Sequence, residues 1–288
     1  MKNLKKIIKL IICFPLILSD LMAITYKSFL RKVRPELTLF WSMKLKQKEY
    51  LQYITVNHRT TKHKDVFIQI GTPNEICKYR ALSFSTKEPE TLEWIDSYGH
   101  EGAFFDIGSN IGIYSLYFAN CYNANVYAFE PSVFNLIELA NNINRNKLSK
   151  RIEILPFALN HKNESANFTL SSLDEGSANS AFAVDYGYDG KKIIEAIKYK
   201  TVGFSLDFLM DNKIINEYPA LIKIDVDGNE NLVLQGAKKT LANKKCKSVL
   251  VEVNGDLKAN TSEIAKILKN AKFKLKSQSG SNQIWVKG

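Results

Sequence analysis

Two acidic residues set two apart, Asp225 and Asp227, follow the apolar run Leu221-Ile222-Lys223-Ile224, and Glu252 and Asn254 close a second such run that begins at Ser248. Carboxylates at the ends of neighbouring β-type runs can do chemistry together in two ways. One of them can take a proton as a general base. Alternatively, Asp225, Asp227, Glu252 and Asn254 can offer hard oxygen ligands to a divalent ion that acidifies a bound hydroxyl. The competing role without chemistry is that Asp225 caps the helix expected from Asn229 and that Glu252 only meets loop backbone.

A second constellation lies upstream. Asp106-Ile107-Gly108-Ser109-Asn110-Ile111-Gly112 leaves an apolar run and enters a helical pattern, with Gly108 and Gly112 allowing a sharp turn and a close approach to a ligand. A dinucleotide fingerprint needs glycine at positions 110 and 113, which are Asn110 and Ile113, so a pyrophosphate-binding dehydrogenase is disfavoured. Glu130 ends the next apolar run at Ala128-Phe129-Glu130-Pro131. A carboxylate there can accept from both hydroxyls of a ribose. A glycine turn suited to an amino-acid moiety and a ribose-reading Glu describe S-adenosylmethionine better than NAD.

The elements that must position these residues follow from periodicity. Short β-rich runs at 104–107, 126–129, 152–158, 221–225 and 248–253 alternate with helical patterns at 113–121, 133–146, 229–242 and 261–271. That alternation predicts a parallel sheet covered by helices. Two final runs, 273–276 and 283–286, are joined by the turn 277–282 and predict an antiparallel hairpin. The expected fold class is α/β: a Rossmann-like, doubly wound, mostly parallel seven-stranded sheet with a C-terminal antiparallel hairpin and a helical N-terminal arm. In such a sheet ligands bind at the carboxyl ends of the strands.

The motifs Phe105 to Ser115, Phe129-Glu130-Pro131, Leu221 to Glu230 with Gly236-Ala237, and Val249 to Val253 together resemble the FkbM-type S-adenosylmethionine-dependent methyltransferases, in the same order and over about residues 80–275. The resemblance implies a class I methyltransferase fold and methyl transfer to a hydroxyl, often of a sugar or natural product. It also implies that Asp106, Gly108, Asn110 and Gly112 border the methionine part of the cofactor, with Glu130 on its ribose and the turn around Ala158 near adenine. Many class I enzymes hold the adenine amino group with an acidic residue after the third strand. Here Ala158, Leu159 and Asn160 stand there, which leaves the contact to Asn160 or to a backbone carbonyl.

Charge and composition limit the partners. The chain has 288 residues and a formal charge of +11, but residues 1–50 carry 11 basic and 3 acidic side chains while residues 101–250 carry 16 and 17. The excess sits on an arm. Over residues 1–25, Lys2, Lys5, Lys6 and Lys9 oppose Leu4, Ile7, Ile8 and Ile11, a basic amphipathic helix of the kind that adsorbs to anionic lipid. The run 10–18, broken by Pro15, falls short of the ~18 to 20 apolar residues of a spanning helix. A cleaved signal and a helix packed on the body are the competing readings, the first weakened by the poor cleavage site Leu21-Met22-Ala23.

The near-neutral body argues against a nucleic-acid partner, as does the absence of Asn/Asp-Pro-Pro-Tyr/Phe and Pro-Cys motifs. Four cysteines without a Cys-x-x-Cys pair suggest neither zinc nor disulfides and fit a reducing cytoplasm. At 45% hydrophobic and 24% charged the composition is that of a globular protein, so a disordered chain is excluded. The expected organisation is an arm at 1–25, an extension at 26–79 and a methyltransferase domain at 80–288, with a polar, aromatic-studded insertion at 160–200 that is either a substrate lid or a disordered excursion, its aromatic faces and short polar side chains favouring the lid. The expected activity is O-methylation of a hydroxyl on a sugar, glycan or glycolipid-type acceptor by a cytoplasmic enzyme, held at the inner membrane face through residues 1–25. An RNA or other nucleic-acid methyltransferase and a non-catalytic S-adenosylmethionine-binding protein are the alternatives.

Overall fold

The computed structural model describes residues 52–60, 62–253 and 258–288, with side chains undescribed at 258 and 259. The basic arm at 1–25 and the candidate ligand Asn254 therefore lie outside the described residues. From Tyr53 to Gly288 the chain forms one compact unit. Its centre is a seven-stranded sheet built from β3 (Phe104–Ile107), β4 (Val126–Phe129), β5 (Ile152–Leu155), β10 (Leu221–Ile224), β11 (Ser248–Glu252), β12 (Phe273–Ser279) and β13 (Asn282–Lys287), in the order β12-β13-β11-β10-β3-β4-β5. Neighbours are parallel from β5 to β11, and β13 runs antiparallel to both β11 and β12. The order reverses beside β3, so the loops after β3 and β10 part there and open a crevice.

Strands β3, β4 and β10 are buried at every position, which is why they read as continuous apolar runs. Alternation still divides their side chains between two cores. Phe104, Ala128, Leu221 and Leu250 pack under α2 (Pro89–Tyr98), α3 (Ile113–Cys121) and α4 (Val133–Arg145), together with Ile68 and Ile70. Phe105, Ile107, Phe129, Ile222, Ile224 and Val251 pack under α5 (Leu206–Asp211), α6 (Glu230–Gln235), α7 (Lys238–Ala242) and α8 (Lys258–Asn270). Trp94 of α2 donates from Nε1 to Ser248 Oγ at 2.7 Å, and Glu90 accepts from Asn282 Nδ2 at 2.8 Å. The Glu90 bond holds the start of α2 at the ligand edge of the sheet, where Asn282 pairs with Glu252, and the Trp94 bond holds the middle of the helix over the opposite end of β11.

Three elements depart from the periodicity reading. The run 152–158 is split at Pro156, which has no N–H for a ladder, so the chain turns and Ala158–Leu159 become β6 of a separate sheet. The helix expected over 229–242 is two. Asp207 accepts from the backbone N–H groups of Lys239 and Thr240 and so starts α7 afresh, while Gly236 lies so close to Asn160 that a Cβ would stand 2.1 Å from its carbonyl oxygen. The insertion is a folded sheet in the order β6-β9-β7-β8, with β7 at Glu164–Leu170, β8 at Ser180–Phe182 and β9 at Ile197–Phe204, closed around Phe168, Leu170 and Phe182. The chain before the first core strand is ordered as a hairpin, β1 (Tyr53–Arg59) and β2 (Asp65–Gly71), and a helix, α1 (Glu75–Leu82). Among the described residues no helix is long and apolar enough to cross a membrane.

Candidate functional site

A cleft of about 420 Å³ opens at the carboxyl ends of β3, β4 and β10, within the roughly 300–1,000 Å³ of small-molecule sites. Gly108 lies on its floor with φ +80°, where a Cβ would stand 1.8 Å from the Asp225 carbonyl oxygen, so only glycine lets the two loops touch. Gly112, with φ +84°, opens α3, and a Cβ there would stand 2.4 Å from the end of the Leu139 side chain. Asn110, with φ +53°, donates from Nδ2 to the Ser177 carbonyl at 2.8 Å and so ties this turn to the insertion.

Glu130 is buried at the end of β4. Its Oε2 accepts from the Asn110 backbone N–H and its Oε1 from that of Ser132, both at 2.8 Å. Burial pushes its carboxyl up to about 7 against the pull of those two donors. With the Asn135 side chain as a third donor, the carboxylate still has acceptor capacity for a ligand hydroxyl. Beyond it the wall is apolar, with Phe129, Phe157, Ala158 and Leu159. Asn160 is turned away, donating to Glu164 Oε1 and accepting from the His161 backbone N–H, which removes its side chain as an adenine contact.

The opposite wall carries the carboxylates. Lys223, only 2% exposed, donates to Asp225 Oδ2 at 2.7 Å and lies over the Tyr114 ring at 5.1 Å. Asp106 is its register partner on β3. Burial alone would raise Asp225, but the Lys223 ammonium and a hydrogen bond with Glu252 hold it well below the usual carboxylate range. Glu252 goes the other way, raised by burial and by the charge of Asp225, and accepts from Ser281 Oγ at 3.0 Å. Asp227 adopts φ +56° and accepts from the Ser180 backbone N–H at 3.0 Å; burial, then Asp225, push it up to about 6. Asp225 does not cap α6. Glu230 organises that loop, its Oε1 accepting from the backbone N–H groups of Val226 and Gly228.

Gly108, Asn110, Glu130, Ala158, Asp225, Asp227 and Glu252 thus line one cleft. Asp106 does not. It shares the strand face of Phe104, is 1% exposed, and accepts from Ser115 Oγ at 2.6 Å while its Oδ1 has no partner; burial raises its carboxyl despite Lys223. Gly112 shapes the turn from behind. As for a metal, among the described residues no group of three or more His, Cys, Asp or Glu side chains is placed to hold one. The positive partner of Asp225 is Lys223.

Several lining residues have little signature in the sequence. Lys223, buried behind that lining, is legible as a charge inside an apolar strand, two residues before Asp225 and hence on the same face. Arg80, Lys87 and Glu88 come from outside the core sheet, Asn135 from α4, and Tyr188 from the insertion. Asn229 is buried on the cleft wall and its Oδ1 has no partner.

The methyltransferase FkbM domain family matches residues 106–275. Among solved structures, methyltransferase FkbM from Methylobacillus flagellatus is 15% identical with a TM-score of 0.46, over 65% of this chain and 44% of that one. The chain thus spans less than half the length of that protein. An O-methyltransferase from Bacillus cereus in complex with SAH is 13% identical over 74% and 89% of the two chains (TM-score 0.43). An rRNA methylase from Streptococcus thermophilus is 10% identical over 68% and 92% (TM-score 0.41). No curated protein sequence matches the chain. Since the family match covers more than half of its residues, the chain belongs to the methyltransferase FkbM domain family.

Proposed function

We propose that the protein transfers a methyl group from S-adenosylmethionine to a hydroxyl of a sugar, glycan or glycolipid-type acceptor. The observation that carries this reading is the proximity, in one cleft, of a ribose-type acceptor, Glu130, and a carboxylate of raised proton affinity, Asp227. The residues present fit the cofactor: Glu130 would hold the ribose hydroxyls, the Phe157-Ala158-Leu159 wall would take adenine, and the turn at Gly108 and Asn110 would border the amino-acid end. When bound, the cofactor supplies a methyl group on a positively charged sulfur.

A sugar hydroxyl is a weak nucleophile, so its proton must have somewhere to go as the new C–O bond forms and the C–S bond breaks. Asp227 receives it. A value of about 6 leaves this carboxylate mostly ionised at neutral pH yet more basic than a solvated aspartate. Asp225 stays ionised against Lys223 and is the weaker base. Glu252, raised by burial and by Asp225, carries the proton of that pair and donates across it. The roof contributed by the insertion, with Asn179, Ser180, Phe182 and Tyr188, combines aromatic faces with short polar side chains. That mixture suits a carbohydrate.

The arm at residues 1–25 would keep the enzyme at an anionic membrane surface, close to lipid-linked acceptors. Labelled methyl transfer into lipid, glycan and RNA fractions of cells tests the acceptor class. Incorporation confined to RNA would sink the carbohydrate reading, and no transfer together with no binding of S-adenosylhomocysteine would sink the enzyme reading.

A further inference from the structure

Acidic side chains dominate the cleft, among them Glu88, Glu130, Asp225, Asp227 and Glu252, and two basic ones line it, Arg80 and Lys87. Lys87 is engaged by Glu88 at 3.1 Å. Arg80 is not so engaged. It stands in the last turn of α1, half-buried, and its Nε donates to the Gly176 carbonyl at 2.7 Å. Among the described residues it forms no salt bridge, and its terminal nitrogens donate to no protein atom. Asp227 feels its charge without pairing to it.

A half-buried guanidinium has lost part of its hydration, and its planar fork matches a carboxylate better than any neutral group. The neighbourhood says which end of a ligand lies here. Gly176 has φ +79°, and the next carbonyl, that of Ser177, accepts from Asn110 Nδ2 at 2.8 Å. Arg80 is therefore anchored to the same short segment that holds the turn after β3, while Glu130 grips that turn from its other side through the Asn110 backbone N–H. A ligand with its ribose on Glu130 has its far end free to reach Arg80. In S-adenosylmethionine that end carries a carboxylate.

We propose that Arg80 binds the carboxylate at the amino-acid end of the cofactor, an assignment that rests on the cleft being the S-adenosylmethionine site. It would make α1, outside the family-matched residues, part of the cofactor site, and a charged ligand the completion of an unpaired cation.

Isothermal titration of the full chain with S-adenosylhomocysteine and with 5′-methylthioadenosine, which has the adenosine and the sulfur but no carboxylate, tests it. In Arg80→Ala the affinity for S-adenosylhomocysteine should fall about 10- to 100-fold, the scale of a lost charge-assisted hydrogen bond, with 5′-methylthioadenosine binding as in the wild type. Arg80→Lys should restore part of the loss. Unchanged S-adenosylhomocysteine affinity overturns the assignment, and so does an equal loss for both ligands, which would mean that Arg80 acts by holding Gly176. If the wild type binds neither ligand, the cofactor reading of the cleft itself fails, and that is seen before any variant is made.

Discussion

The Lys223 ammonium lies 2.7 Å from the Asp225 carboxylate, two residues on and just past the end of β10, with Asp106 beside it and the Tyr114 ring beneath. Burying a lysine is costly, and here several carboxylates share one cation. Charges of Asp225, Glu88 and Asp106 outweigh burial and keep the lysine protonated. The pair joins the floor of the cleft to the switch point of the sheet.

Replacing Lys223 with methionine should therefore destabilise the protein by about 3 to 5 kcal/mol, because Asp225 would be left without its counter-charge. Urea unfolding measures this. The deficit should shrink on acidification towards pH 4, since the freed carboxylate, no longer held low, takes up a proton in the folded state. A deficit independent of pH would mean that packing, not charge, is what the lysine contributes.

Glu130 links ligand affinity to pH. The free protein holds this carboxyl at about 7, and ribose hydroxyls donate best to its ionised form. Affinity for S-adenosylhomocysteine should rise as pH increases from 6 to 8 and level off above. Glu130→Gln, which cannot ionise, should bind about tenfold or more weakly and show no such rise. Calorimetry at several pH values reads both.

Asp227 should set the acid limb of turnover. Its base form is lost as pH falls through about 6, so at saturating S-adenosylmethionine the kcat/KM for the acceptor should drop tenfold per pH unit below that value and be flat above it. Asp227→Asn should lower the rate by about 10²- to 10⁴-fold and abolish the limb while S-adenosylhomocysteine still binds. An unaltered pH profile in this variant would remove Asp227 as the base.

Gly108→Ala offers a steric test of the floor. The new methyl group would stand 1.8 Å from the Asp225 carbonyl oxygen on a backbone with φ +80°, so the loops after β3 and β10 must part. Stability should fall by more than the about 1 to 3 kcal/mol of the strained backbone alone, and binding of S-adenosylhomocysteine should be lost. Gly280→Ala, at φ +54° with nothing within 4 Å of its Cβ, should show only the backbone cost and keep binding.

How far the site could be read in advance depended on the range of the physics involved. Gly108, Asn110 and Glu130 were legible because a strand end followed by a glycine turn and a helix is a local event, and Asp225 and Asp227 because they follow an apolar run. Asp106 looked the same by position, yet strand alternation turned it inward to Ser115 and Lys223. Pro156 was visible, but not that Ala158 and Leu159 would join β9, pairing with Gly203 and Phe204.

Local periodicity and turn chemistry determined the helices, the core strands and the edge at which a ligand binds, since each depends on neighbours a few residues apart. Only the tertiary structure decided the charge states and the walls. Lys223 and Asp225 are pressed into contact by burial, Glu130 and Asp227 are raised because water is excluded from them, and Arg80 reaches the cleft from a helix outside the core sheet. Burial and long-range contact are properties of the packed chain, and no spacing of residue types encodes them.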